Sequence, residues 1–287
     1  MPRIGKLKCE SIKAMKIANT PRLNAIVTGC VGGLLLEQLV RTALDNRRTI
    51  MAHPQVLAWM GLSTAIGTSL LYLNGRGIRL RGTVLSCLGY GAAGTLFGFA
   101  VQRSVNGPID RALGPAAHSV AGTLLLGLGA AGCQTLGKTV VALKFRRVFA
   151  EDRNRGLAVG LSIGLGFGLA ELIILSNIAI PNAAYVDIMG GVERCSAMGF
   201  HIYSGGLIGL AFIEKKYGLI GLVVILHTII DGLGPLLAAY NIVLAELLFI
   251  VVAAIVWYIW RIRSRKVAEA EKVLAQENHP QAAWHGP

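Results

Sequence analysis

Four ionisable residues fall inside long apolar stretches of this chain: Glu171, His201, His227 and Asp231. A charged side chain at the centre of a bilayer costs about 2.5–3.5 kcal/mol on insertion scales, so each of them needs a physical reason to be there. Glu171 ends the run Gly164-Leu-Gly166-Phe-Gly168-Leu-Ala170-Glu171, and His201 stands three residues before Ser204. His227 and Asp231 are spaced i, i+4, which stacks them on one face of a helix within reach of a common ion or water. Two neutral imidazoles and a carboxylate suit Zn²⁺ or another divalent ion, so His201, His227 and Asp231 form a candidate metal set. Glu171 is then the candidate general base on a bound water. Without a metal, Glu171 activates the water directly, while His201, His227 and Asp231 hold it and the oxyanion. The residue types admit both schemes, and the His227-x-x-x-Asp231 spacing, an ordinary ligand pair, tilts the reading to the metal.

The elements that must position these groups follow from composition. The chain has 287 residues, of which 54% are hydrophobic and 15% charged, and its mean hydropathy is +0.59. A soluble domain carries roughly 25% charged residues. A disordered chain, a soluble nucleic-acid-binding domain and a disulfide-rich secreted module are thereby excluded. The five cysteines form no CxxC pair and read as small apolar side chains.

A spanning helix needs about 20 mostly apolar residues. The expected fold is all-α, a polytopic transmembrane bundle of about eight spans. They are Leu23–Val40, Val56–Leu73, Gly82–Val101, Ala116–Leu136, Leu157–Ile180, Cys195–Ile213, Tyr217–Ala238 and Asn241–Trp260. With both termini cytoplasmic, the cytoplasmic segments hold 22 of the 28 Lys and Arg residues and the opposite segments hold 6. That split follows the positive-inside rule. The net charge of +13 therefore reports topology and contact with anionic headgroups rather than nucleic acid.

Three regions result: a basic cytoplasmic arm (1–22), a transmembrane domain (23–260, with the site region at 160–235) and a basic cytoplasmic tail (261–287). Residues 266–277 read as a short separate polar helix and the end of the tail as disordered. Trp257, Tyr258 and Trp260 read as an aromatic belt at the headgroups. The expected location is a multi-pass protein of the plasma membrane.

Depth then groups the four residues. At about 1.5 Å per residue, Glu171 and Asp231 lie roughly 21 Å from the cytoplasmic ends of their spans, His201 about 18 Å and His227 about 15 Å. All four fall in one slab near the middle of a core about 30 Å thick. Gly156, Gly160, Gly164 and Gly168 recur every four residues and make a ridge against which another helix can pack closely, with Glu171 on the same face.

Other polar groups have plainer readings. Glu37 pairs with Arg41, Glu246 is a helix-packing group, and His118 is interfacial. Lys138 and Lys144 snorkel to the cytoplasmic surface. Gly232, Gly234 and Pro235 loosen the helix after Asp231.

The order of these motifs resembles the YhfC family of intramembrane metalloproteases. The likeness rests on the Gly-rich segment with Glu171, on Glu193-Arg194, on His201-x-x-Ser204 and on His227-x-x-x-Asp231, and it spans about Gly160 to Asp231, a quarter of the chain. More distantly, the chain is similar to the CAAX-protease and bacteriocin-processing membrane hydrolases and to PrsW-type proteases. The resemblance implies that Glu171 is the base, that His201 and His227 are the two family histidines, and that Asp231 is the carboxylate of an HxxxD motif. It implies a structural or substrate-positioning role for Arg194. The chain has Ala170-Glu171 where CAAX-type enzymes have a double glutamate, so their prenyl-protein substrates do not carry over. The expected function is hydrolysis of a peptide bond in a membrane-embedded or membrane-proximal protein. An ion or proton transporter and a non-catalytic scaffold on the same fold are the alternatives.

Overall fold

A computed structural model describes residues 54–74, 81–179 and 188–278. The basic arm, the expected span Leu23–Val40, the Glu37–Arg41 pair and the last residues of the tail lie outside them. The described residues are helical, because backbone N–H and C=O groups in hydrocarbon must find partners within their own segment. The elements are α1 (Pro54–Asn74), α2 (Arg81–Leu113), a 3-10 turn (Gly114–His118), α3 (Val120–Lys144), α4 (Arg146–Glu151), α5 (Arg153–Ala179), α6 (Ile188–Glu214), α7 (Gly218–Tyr240) and α8 (Ile242–Asn278). Among the described residues, five helices are long and apolar enough to cross a membrane: α3, α5, α6, α7 and α8. Helix α1 carries a shorter apolar stretch, Gly61–Leu73. The chain has the character of an integral membrane protein.

Helix α5 is central. It packs on α2 and on α6, with α1 laid against both α5 and α6. Helix α3 packs on α2 and α7, and α7 and α8 close the arrangement back onto α6. The interior between α3, α5, α6 and α7 is where the polar groups meet.

Several boundaries differ from the sequence expectation. The fourth span was expected at Ala116–Leu136, but α3 starts after Ser119 and continues to Lys144. Pro115 favours the 3-10 turn, and the Ser119 hydroxyl then accepts the N–H of Gly122 at 3.1 Å, an N-cap. Helix α6 begins at Ile188, so Glu193 and Arg194 are helical rather than in a loop. Helix α7 passes unbroken through Gly232, Gly234 and Pro235; Gly232 packs against Leu124 and Gly234 against the Phe249 ring, which supports it there. Helix α8 absorbs the expected polar helix of residues 266–277, since no Gly or Pro interrupts the segment. Its Glu271 accepts the backbone N–H of Arg153 at 3.1 Å, tying the extension to the start of α5. Trp260 is buried against Tyr203, 5.3 Å between ring centroids, and so leaves the expected belt; Tyr258 is exposed and Trp257 faces Arg261.

The glycine ridge packs as expected, and its partner is α6. A Cβ on Gly205 would stand 2.6 Å from the Cα of Gly164, and one on Gly160 would stand 2.9 Å from the carbonyl of Gly205. A second crossing was not anticipated. On the opposite side of α5, a Cβ on Gly166 would stand 2.8 Å from the Cα of Leu88 of α2. The Thr95 hydroxyl holds that crossing by donating to the Phe167 carbonyl at 3.0 Å.

Gly164→Ala should therefore lower stability by about 1–3 kcal/mol, the usual cost of overpacking, read as a lower apparent Tm in detergent. Gly221→Ala, where the added atom meets nothing within 4 Å, should leave Tm unchanged or raised. Equal effects from the two would contradict the close crossing.

Candidate functional site

Side chains on a helix lean toward its N terminus. Helices α5 and α6 run antiparallel across the glycine contact, so Glu171 and His201 lean toward each other. The Glu171 carboxylate pairs with His201 Nε2, and both residues are buried, at 8% and 3% exposure. Ala170, Phe167 and Phe200 close the surroundings; the Phe167 ring lies 5.1 Å from the imidazole centroid.

The other ring nitrogen of His201 has an unexpected partner. Lys138 Nζ lies 2.8 Å from His201 Nδ1 and donates to the Ser204 hydroxyl at 2.9 Å. Lys138 has 0% exposure, so it does not snorkel to the cytoplasmic surface. The reason is geometric: its side chain leans back along α3, away from the Arg146-Arg147 end. The ammonium sits 4.5 Å from the Phe167 ring centroid and 5.6 Å from that of Phe200, where the ring faces add cation–π attraction. An ammonium has only N–H groups to offer. With Lys138 as an ammonium, Nδ1 of His201 is the acceptor, and the ring proton on Nε2 faces Glu171. The result is a continuous Lys138–His201–Glu171 chain joining α3, α6 and α5. Ser204 completes it by donating to the His201 carbonyl at 3.0 Å.

The α7 pair lies alongside. The His227 and His201 ring centroids are 5.7 Å apart, and the Phe200 ring is 4.8 Å from that of His227. His227 Nε2 is 3.5 Å from Asp231 Oδ2, longer than a good hydrogen bond. Accordingly, His227 Nδ1 and Asp231 Oδ2 are buried with no hydrogen-bond partner among the described residues. Pro235 has no N–H, so the Asp231 carbonyl also lacks its helical donor four residues on. A buried polar atom without a partner costs about 1–3 kcal/mol. These atoms are where a water or a polar substrate group gains most by binding.

The metal set can be tested on this geometry. A ligating imidazole must present a free lone pair, and both ring nitrogens of His201 already have partners here, Lys138 and Glu171. Among the described residues, no group of three or more His, Cys, Asp and Glu side chains stands in an arrangement that could hold a metal ion.

The remaining expectations sort simply. Cys87 and Cys133 are buried free thiols, as small apolar residues would be, and Cys195 is a half-buried one. Glu246 is buried on α8. His118 is exposed at the end of the 3-10 turn. Arg194 pairs with its neighbour Glu193 on α6. Lys144 lies over the Tyr90 ring at 4.6 Å. No protein-family model matches the chain, and no curated protein or solved structure matches it either.

Lys138 is the site residue that sequence reasoning missed. A lysine two residues beyond the expected span end at Leu136 reads as a terminator. A signal was present nonetheless: Gln134 and Lys138 are one turn apart beside Thr135, a polar stripe within an apolar helix, and all three are buried.

Removing one partner of a buried charge pair costs about 3–5 kcal/mol. Lys138→Met and Glu171→Gln should each destabilise the protein on that scale. The double variant should be less destabilised than the sum of the two, with a coupling of about 0.5–3 kcal/mol in a double-mutant cycle of unfolding in detergent. Strict additivity would show that the two charges do not communicate through His201.

Proposed function

We propose that this chain is an intramembrane peptidase in which Glu171 activates water and the Lys138 ammonium supplies the fixed positive charge. The observation that carries this reading is a buried carboxylate oriented by a hydrogen-bonded imidazole, beside unpartnered polar atoms of His227 and Asp231. Water is scarce in hydrocarbon, so a hydrolase there must bind its own, and these atoms are suited to do so. Glu171 takes a proton from that water as its oxygen adds to the peptide carbonyl carbon. The protonated Glu171 then returns the proton to the departing amine as the C–N bond breaks. His201 keeps the carboxylate aimed, and Lys138 keeps His201 in the tautomer that does so. Pre-set donors and positive charge favour the oxyanion in a site shielded from solvent. The family resemblance agrees on Glu171, His201, His227 and Asp231. The scheme differs from the family in using the lysine where a zinc ion would stand.

The same reading extends to topology. We take the chain to have eight spans, both termini in the cytoplasm, and the cell membrane as its location. Moving Lys138 into the bundle leaves 21 Lys and Arg residues on the cytoplasmic side against 6 opposite, which still obeys the positive-inside rule. The expected substrate is a membrane-embedded or membrane-proximal protein.

A continuous Lys–His–Glu chain also suits a proton path, so the experiment must separate the two. New protein N termini should be compared in membranes from cells expressing the wild type and Glu171→Gln at equal levels. The peptidase reading predicts a set of cleavage products that depends on Glu171, with turnover falling about 10²–10⁴-fold in the variant, the usual worth of a general base. Identical N termini in both, together with Glu171-dependent proton flux in liposomes, would replace the peptidase by a transporter. Identical N termini without flux would leave a non-catalytic scaffold.

A further inference from the structure

A groove of about 630 Å³ lies between α2 and α3. Gly137 lines it, while its neighbour Lys138 points into the bundle. Gly94 and Gly137 meet at its floor: a Cβ on Gly94 would stand 3.0 Å from the Gly137 carbonyl. Side chains are absent at that crossing, which is what makes the surface concave. The walls include Phe97, Val140 and Leu143, each close to half exposed. At one end the apolar walls give way to Lys144, Arg146 and Arg147. Among the described residues, no acidic side chain lines the groove.

This polarity is that of a single amphiphile: an apolar chain along the walls and an anion at the rim. Cations at a helix C terminus also complement the helix dipole, and Lys144 lies over the Tyr90 ring. Neither accounts for a concave apolar channel that ends at three cations. Basic pockets between membrane helices bind anionic headgroups, at a gain of about fivefold in affinity per cation near the surface. We propose that this groove is a binding site for one anionic phospholipid, with an acyl chain between α2 and α3 and its phosphate on Lys144, Arg146 and Arg147.

The test uses the detergent-purified full chain and native mass spectrometry, titrating dioleoyl phosphatidylglycerol against dioleoyl phosphatidylcholine. The first phosphatidylglycerol should bind about tenfold or more tightly than the first phosphatidylcholine. Exchange of Lys144, Arg146 and Arg147 for Ala should erase that preference. Val140→Trp, on an exposed wall position, fills the groove but leaves the rim charges intact, and it should also remove the first tight lipid. Equal binding of the two lipids by the wild type would overturn the proposal. So would an unchanged preference in the triple variant. Loss in the triple variant with full retention in Val140→Trp would reduce the site to headgroup attraction at the surface and reject the groove. Each variant should elute as the wild type does on size exclusion, and melting temperatures identify any that fail to fold.

Discussion

A lysine amine with no solvent exposure needs polar partners where it stands. Lys138 meets that condition through His201, whose second nitrogen carries the interaction on to Glu171. The chain of contacts is short and directional, so three helices must hold fixed distances for it to exist. Removing any member leaves a buried charge uncompensated, and such charges cost several kcal/mol. The packing can be understood as serving this requirement. Glycine at the α5–α6 crossing brings the two backbones close enough for Glu171 to reach an imidazole directly. Glycine on the other side of α5 lets α2 seat behind it, and α3 then packs on α2 and presents the lysine.

The charges also limit the chemistry. Two carboxylates, two imidazoles and one ammonium converge on one interior. In a zinc hydrolase, the metal supplies the positive charge that polarises substrate and water. In the proposed scheme Lys138 supplies that charge, and it stands at the His201 nitrogen that a metal would need. A buried lysine and a divalent ion sharing one histidine would repel each other in a medium that screens weakly. The proposed scheme accordingly takes Glu171 as the base, with His227 and Asp231 as the polar groups beside it.

Much of this was legible in the chain itself. The helical class follows from composition. The apolar runs locate the helices from Val56 onward to within a few residues at most ends. Glu171, His201, His227 and Asp231 stand out because ionisable residues are costly in apolar helices, and depth arithmetic put them in one slab; in the structure they lie near one another. What escaped notice was decided by three-dimensional context. Lys138 looked terminal because span ends are judged by where charge begins, and only the packing of α3 shows that its side chain turns inward. Trp260 looked interfacial because its type is common there, yet its place opposite Gly206 draws it into the core. Pro235 was expected to loosen the helix, but α7 stays helical through it, packed on Leu124 and Phe249 nearby. The second glycine crossing, at Gly166, was hidden because that residue lies off the four-residue ridge.

The most direct measurement is the metal content of the detergent-purified wild type, prepared without chelator, beside His227→Ala. The account predicts zinc far below one ion per chain in both proteins. Near-stoichiometric zinc in the wild type that is lost in His227→Ala would contradict it, because the imidazole and carboxylate groups would then be ligands and Lys138 could not stand where it does.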